Sequence, residues 1–267
     1  MKVADPTRQR DAIRHLKEFF RDTLLEQVNI AKSEGYAQAR YDGLVGGGTR
    51  RKSKVGAPGT VRRELNTLVA AANHALKRER ISKPIFVELP PEKRMGEDDE
   101  APYFTQQELD SLIAAATGEL KWFVQLCYLT GARRRSIENL TRAQVRWPQK
   151  RIILQQPGKR TTKKRQPIVP ILKSMEEPLR ELWDAGGDPR LFTCSDFYRP
   201  FKALCIDVGI DEGRAHAHVL RHTRATHLLQ DGKTLYDVAR LLGDTVRTVE
   251  LVYGHHSHEH LAGNLEG

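Results

Sequence analysis

The segment HVLRHTRATHLL, residues 218–229, places cations within the pattern of a buried helix. In a helix His218, Arg221 and His222 share one side, because residues three and four apart are surface neighbours. Apolar residues of the segment lie on neighbouring parts of the same helix surface, which indicates that this side is buried. A buried arginine needs an anionic partner, and the segment contains none. The pattern therefore indicates a binding site for an anion. The alternative interpretation is a solvated helix face.

A zinc site is a second interpretation of His218 and His222, which have His-x-x-x-His spacing. The hydrolytic form of that motif carries a carboxylate between the two histidines, which is missing here, and no third ligand is obvious. A polar tail beside the ligand, or a solvated helix face, also explains the later histidines His255, His256, His258 and His260. We expect no metal ion and no cofactor.

Two further groups of cations suit the same anionic ligand. In TGARRRSIENL, Arg133 follows Gly131 at the entry to a predicted helix, where backbone amides and a guanidinium can face one oxyanion. The segment PGKRTTKKR, residues 157–165, lies in a predicted β-hairpin, and its lysines are point charges that can donate protons. Three separate segments thus offer cations to one site.

The composition indicates a folded protein of two domains. The 267 residues exceed one typical domain, and 39% hydrophobic with 29% charged residues argues against disorder. We find no apolar run of membrane-spanning length and no secretory signal, so the expected compartment is the cytoplasm, in association with the nucleoid. Three cysteines without CxxC spacing, Cys127, Cys194 and Cys205, are expected to be small buried hydrophobic residues.

The charge points to a polyanionic partner. The formal net charge is +10 and the sequence pI is about 9.6. Residues 1–96 carry 20 Lys and Arg against 11 Asp and Glu, and residues 101–267 carry 24 against 19. Both halves are therefore basic, and an acidic run at 97–100 separates them.

The first half of the chain reads as helices. Asp5-Pro6 marks a helix start, a second helix is predicted over much of residues 23–42, and glycines and cations make residues 44–60 a loop. From Thr60, a predicted N-cap, apolar residues recur at helical spacing through Leu76. Four prolines and the acidic run place the domain boundary within residues 84–102.

The second half combines helices with a small sheet. Thr105 and Glu108 form a predicted capping box, and an apolar helix follows over residues 120–130. Strand-like segments lie near 144–147, 151–156 and 166–170, and helices return from about residue 172. The expected fold class is mainly α with a small antiparallel β-sheet.

Four motifs taken in order resemble the tyrosine recombinases, or phage integrases. They are T-G-x-R ending at Arg133, the lysine-bearing hairpin that ends in PIVPI, H-x-L-R-H at 218–222, and L-G-x(9)-Y-x-H from Leu242 to His255. The resemblance covers residues 103–256. It implies a helical core DNA-binding domain over 1–90, a linker over 91–102 and a catalytic recombinase domain over 103–267, which together close around DNA as a clamp.

The same resemblance implies a reaction that uses no metal ion. Tyr253 would attack a scissile DNA phosphate and form a 3′-phosphotyrosine link, which a DNA hydroxyl can reverse because phenoxide is a good leaving group. Arg133 and Arg221 would hold the non-bridging oxygens, and His218 would transfer a proton at the nucleophile. The proton for the leaving 5′-oxygen would come from a hairpin lysine, of which Lys164 is placed best, then Lys163, then Lys159.

Two of these residues have another interpretation. A lone tyrosine near a helix end usually packs, and the register of Tyr253 with Leu242-Gly243 is what identifies it as a nucleophile. His222 matches a position that more often packs or supports the site.

One residue departs from the family pattern. Asp244 stands after Leu242-Gly243, where the family usually has His or Trp, and a carboxylate repels a phosphate unless a cation neutralises it. Three interpretations stay open: Asp244 orients Arg133, Arg221 or a histidine, it is a tolerated replacement with slower chemistry, or the protein is catalytically weak.

The implied function is integration or excision of a phage or mobile element. The implied partners are double-stranded DNA and further copies of the chain, which form a dimer per site and a tetramer in synapsis. An accessory DNA-bending or directionality factor is a further partner that the resemblance allows. No membrane is expected as a partner. The alternatives are an inactive DNA-binding module and a type IB topoisomerase-like enzyme. Many integrases of this family also carry an N-terminal arm-binding domain. The first predicted helix resembles the start of a core-binding domain, so we expect either a simpler integrase without the arm-binding domain or a chain whose start has been trimmed. Phosphate-contact candidates, for which a solvated basic face is the alternative, are Arg50, Arg51, Lys52, Lys54, Arg62, Arg63, Lys77, Arg78, Lys159 and Arg160.

Overall fold

The computed structural model describes residues 6–46, 55–91, 101–155 and 167–257. The chain divides into two compact units, Met1–Arg94 and Met95–Gly267. Within the described ranges, no helix combines the length and the apolar character needed to cross a bilayer.

The helices of the first unit are α1 (Pro6–Phe20), α2 (Ile30–Tyr41) and α3 (Pro58–Lys77), with a 3₁₀ turn at Leu25–Gln27. Helix α2 is shorter than the predicted range, because the Asn29 side chain accepts a hydrogen bond from the Lys32 amide and caps a new start. Helix α3 begins two residues before the predicted cap at Thr60, since Pro58 suits the first helical position, where no amide hydrogen is needed.

A buried carboxylate joins the three helices of this unit. Glu64 lies on the apolar side of α3 and is only 4% exposed. It accepts hydrogen bonds from Arg40 Nε (2.9 Å) and Nη2 (3.1 Å), from the Tyr36 hydroxyl (2.9 Å) and from His15 Nδ1 (2.8 Å). Four donors satisfy the charge, so its burial is tolerated.

The second unit starts from the predicted capping box. Thr105 accepts a hydrogen bond from the Glu108 amide, and the Glu108 side chain accepts one from the Thr105 amide. The helices that follow are α4 (Gln106–Ala115), α5 (Gly118–Thr130), α6 (Arg134–Glu138), α7 (Lys173–Ala185), α8 (Tyr198–Asp207), α9 (His218–Gln230), α10 (Leu235–Leu242) and α11 (Val246–Tyr253). Short 3₁₀ segments occupy Arg142–Gln144 and Gly254–Ser257.

The strands are β1 (Val145–Arg146), β2 (Arg151–Ile153) and β3 (Ile168–Pro170), and they pair antiparallel in that order. Ile152 lies opposite Val145 on one side and Val169 on the other, and all three are buried. The expected class, mainly α with a small antiparallel sheet, is confirmed. Residues 156–166 of the predicted lysine hairpin lie outside the described residues.

Two apolar clusters fill the second unit. The larger one surrounds helix α5, whose Phe123, Val124, Leu126 and Cys127 are completely buried. The smaller one joins α9, α10 and α11 through Ala225, Leu229, Val238, Leu242, Val249 and Tyr253. All three cysteines are free, and the prediction that they are buried is wrong for Cys194, which is partly exposed. These clusters fix the helices that carry the candidate site.

Candidate active site

Arg221 is the buried centre of the candidate site. Its residue surface is 3% exposed, and its Nη1 atom donates hydrogen bonds to the backbone oxygens of Gly131 (2.7 Å) and Leu242 (2.9 Å). The guanidinium of α9 therefore ties the end of α5 to the end of α10. Desolvation and the nearby Arg133 charge lower the pKa of Arg221, and Asp244 opposes this shift.

Asp244 supplies the anion that the HVLRHTRATHLL segment lacks. Its Oδ2 atom accepts a hydrogen bond from Arg221 Nη2 and lies 3.6 Å from Arg133 Nη2. The sequence indicated a ligand as the partner of the buried arginine, whereas the partner here is a side chain 23 positions along the chain. The contact matches the first of the three interpretations of Asp244, in which it orients the arginines.

Two left-handed glycines bring these ends together. Gly131 ends α5 with φ of 61°, and Gly243 ends α10 with φ of 67°, a conformation that favours glycine. A Cβ atom at Gly131 would also lie 2.5 Å from Leu242 Cδ2. The T-G and L-G pairs of the sequence thus mark the close contact that carries the Arg221 acceptors.

The three consecutive arginines before Ser136 divide between two sets of acidic partners, of which Arg134 and Arg135 share one. Arg133 faces Asp244, while Arg134 contacts Glu138 and Asp196. Arg135 lies 3.3 Å from Glu138 and 3.7 Å from Asp196, and its side chain is 61% exposed. The structure therefore brings the first of the three to the site.

Tyr253 ends helix α11 and packs against α9. It is 5% exposed, and its hydroxyl lies 2.7 Å from Nδ1 of His222. Burial raises the pKa of Tyr253 to about 12; Arg221 and Arg133 lower it and Asp244 raises it further. The nucleophile candidate and both arginines thus act on one another electrostatically.

The two histidines of the site differ in their surroundings. Desolvation, with contributions from His218 and Arg221, lowers the pKa of His222 to about 3. Desolvation and Arg221 also lower the pKa of His218, although that residue keeps an exposed edge at the start of α9. Their rings meet edge to face with centroids 4.6 Å apart. Both rings are therefore neutral at pH 7.

The contact between His222 and Tyr253 was not predicted from the sequence. From the sequence, His222 was expected to pack or to support the site. Its spacing from Tyr253 carries no signal, because α10 lies between the helices that hold the two residues. His218, the position that the resemblance assigns to the nucleophile, is one turn away on the same helix.

The remaining candidates divide into described and undescribed residues. In the first unit Arg62 Nη1 donates to the Pro90 oxygen at 2.6 Å, and Arg63 Nε donates to the Gly59 oxygen at 2.9 Å. Lys77 and Arg78 are exposed at the end of α3. The candidates outside the described residues are Arg50, Arg51, Lys52, Lys54, Lys159, Arg160, Lys163 and Lys164. Among the described residues, no group of three or more His, Cys, Asp or Glu is placed to hold a metal ion.

A family comparison fits this arrangement. Residues 102–260, more than half of the chain, match the model of the phage integrase family. The chain belongs to the phage integrase family. The matched range contains both arginines, both histidines, Asp244 and Tyr253.

Individual members of the phage integrase family show the same relation. The integrase of Escherichia phage P2 is 30% identical over 180 residues, which cover 63% of this chain and 48% of that protein. The integrase of Haemophilus phage HP1 is 30% identical over 145 residues, covering 54% and 39%. The chain thus spans about half or less of the length of these relatives.

Known structures agree on the fold. The catalytic domain of bacteriophage HP1 integrase matches with a TM-score of 0.50 and 26% identity, covering 62% of this chain and 95% of that domain. The Tn1549 transposon integrase in complex with transposon right end DNA matches with a TM-score of 0.69 and 16% identity, covering 100% and 95%. At that identity the second match supports the fold alone.

Proposed function

We propose that this chain is a site-specific DNA recombinase that cuts and rejoins strands through a 3′-phosphotyrosine intermediate, for integration or excision of a phage or mobile element. The observation that carries the proposal is that Asp244 joins Arg221 and Arg133, and that both arginines act electrostatically on Tyr253, although the three residues come from separate segments. A tyrosine beside two fixed guanidinium groups suits attack on a phosphodiester, because the guanidiniums neutralise charge as it builds on the phosphate.

Each side chain has a proposed step. The Tyr253 oxygen forms a bond to phosphorus and gives its proton to a neutral histidine of the H-x-L-R-H motif. The bond to the 5′-oxygen breaks, and a hairpin lysine, Lys164 or Lys163, gives that oxygen its proton. Arg133 and Arg221 hold the non-bridging oxygens and supply positive charge without a metal ion. A DNA hydroxyl then attacks the phosphotyrosine and reverses the chemistry. His218, exposed at the start of α9, is the position that the resemblance assigns to proton transfer at the nucleophile.

Asp244 has a proposed role as a support for the arginines. Its carboxylate fixes the Arg221 guanidinium from one edge, while the two backbone oxygens fix it from another. A phosphate that reaches the same guanidiniums must share them with Asp244, which weakens its binding. The proposal is therefore that Asp244 orients Arg221 and moderates the affinity for DNA.

The basic first unit supplies proposed sequence-independent contacts. Arg63 and Lys77 on α3 are exposed candidates for phosphate binding, and such contacts make affinity fall with salt. The proposed partners are double-stranded DNA and further copies of the chain, a dimer per site and a tetramer in synapsis.

The test is covalent capture of DNA. The full chain is incubated with nicked duplexes cut from the ends of the element that encodes it, the mixture is denatured, and the DNA that stays attached to protein is sequenced. We expect an adduct with one short site that disappears in Tyr253→Phe. Footprinted binding without any adduct would instead establish the inactive DNA-binding module. Relaxation of supercoiled DNA without strand exchange between two sites would establish the topoisomerase-like alternative.

A further inference from the structure

His222 differs from the other histidine of the HxLRH motif in what it touches. Its Nδ1 atom lies 2.7 Å from the Tyr253 hydroxyl, and the two ring centroids are 5.6 Å apart. Among the described residues, His222 is the hydrogen-bond partner of the Tyr253 hydroxyl. His218, the position expected to serve the nucleophile, contacts the His222 ring instead.

We infer that His222 is a positioning residue that accepts the Tyr253 proton in a hydrogen bond and so aims the lone pairs of the hydroxyl oxygen outward for attack. This inference rests on the proposed function. The attacking species is an oxygen lone pair, so a hydroxyl whose proton is held on the protein side presents the reactive side to a substrate.

The chemistry of the two groups sets the direction of this hydrogen bond. A neutral imidazole has one nitrogen that donates and one that accepts, and a phenol is the more acidic donor of the pair. The groups that face His222 favour the neutral ring. They are the cationic Arg221, the rings of His216 and His218, and the hydroxyl of Tyr253.

A second histidine on the same helix shows this arrangement away from the site. His227 Nε2 lies 3.1 Å from the Phe104 backbone oxygen, which can only accept, so Nε2 carries the hydrogen. Its Nδ1, 3.1 Å from the Tyr128 hydroxyl, is therefore the acceptor. Helix α9 thus holds two histidine–tyrosine pairs of like geometry, one at the candidate site and one remote from it, and the remote pair serves as a matched control.

The experiment separates DNA binding from bond formation. On the duplex captured by the wild type, we measure the dissociation constant and the single-turnover rate of adduct formation for His222→Phe, His222→Asn and His222→Gln. Asparagine places its carbonyl oxygen near the position of Nδ1, whereas glutamine reaches the position of Nε2. We expect His222→Phe and His222→Gln to form the adduct at least about tenfold more slowly with DNA affinity within about twofold, and His222→Asn to recover most of the rate.

The control and a direct readout complete the design. His227→Asn should leave the adduct rate unchanged even where it lowers the melting temperature. Nitrogen NMR of the imidazole rings, assigned by loss of one set of signals in His222→Asn, should show hydrogen on Nε2 of His222 and a hydrogen-bonded Nδ1 in the wild type.

Each outcome decides between the two proposals. Equal adduct rates in the wild type and His222→Phe, equal losses in His222→Phe and His222→Asn, or hydrogen on Nδ1 would overturn the positioning role and leave the recombinase function intact. A wild type that forms no adduct on any duplex would overturn the proposed function, and the positioning role would fail with it.

Discussion

Oδ2 of Asp244 accepts a hydrogen bond from Nη2 of Arg221, so an acidic side chain lies at the guanidinium that a phosphate would also use. The carboxylate side chain is 29% exposed and the Arg221 side chain 4% exposed. Removal of the carboxylate therefore leaves a buried cation with its two backbone acceptors alone.

Substitution of Asp244 should separate its charge from its hydrogen bond. Asp244→Asn keeps an oxygen acceptor for Arg221 and removes the negative charge, so we expect tighter DNA binding by about threefold and an adduct rate within about threefold of the wild type. Asp244→Leu removes both, and we expect a loss of about 1–3 kcal/mol in unfolding free energy and at least tenfold slower adduct formation. Urea unfolding and single-turnover cleavage check the pair. A faster reaction in Asp244→Leu would show that the carboxylate impairs the site and does not support it.

The three consecutive arginines provide a matched comparison. Arg133→Gln removes the guanidinium that faces Asp244, and we expect adduct formation to fall by about a hundredfold or more, because charge stabilisation at the phosphate is lost. Arg135→Gln changes an exposed side chain that pairs with Glu138 and Asp196, and it should stay within about twofold. Similar losses in both variants would indicate a general effect of charge on DNA binding.

The sequence predicted the elements where local signals agree with the fold. Pro6 starts α1 and Thr105 caps α4, because proline geometry and a capping box act over a few residues. Burial of Arg221 was also predictable from its apolar neighbours. Asp244 was one possible partner among three open interpretations, and the sequence did not decide between them because the contact depends on how α9 and α10 pack.

The same limit explains the buried Glu64. Spacing alone places Glu64 on the apolar side of α3, where a charged residue is unexpected, and its donors come from α1 and α2. His222 and Tyr253 meet in the same way, across helices that are separated in sequence. Contacts between distant elements are thus the part of the site that residue spacing does not encode.

Gly131 allows a test of the close contact that carries the Arg221 acceptors. Gly131→Ala adds a Cβ 2.5 Å from Leu242 Cδ2 at φ of 61°, so we expect a loss of about 2–4 kcal/mol in unfolding free energy. The control is Gly118→Ala, where φ is 53° and a Cβ meets nothing within 4 Å, so the backbone strain alone costs about 1 kcal/mol. Equal losses in the two variants, measured by urea unfolding, would mean that the contact with Leu242 adds nothing.

The pKa of His222 makes the stability of the second unit depend on pH. Folding lowers this pKa from 6.5 to about 3, so the unfolded chain binds more protons between these values and stability rises with pH across that window. From pH 7 to pH 5 we expect the unfolding free energy to fall by about 1–2 kcal/mol through His222. His216, His218 and His227, whose pKa values are also lowered, add to this decrease.

The matched variant for this pH effect is His222→Asn, which does not titrate. Urea unfolding at pH 5, 6 and 7 should give this variant a smaller decrease toward acid than the wild type, by about 1–2 kcal/mol over the two pH units. The carboxylates of the unit with lowered pKa, Glu108, Glu119 and Asp196, stay ionised over this range and add little. Parallel pH curves for the two proteins would mean that His222 titrates near its ordinary pKa, and the neutral acceptor required at Tyr253 would then be partly protonated at pH 6.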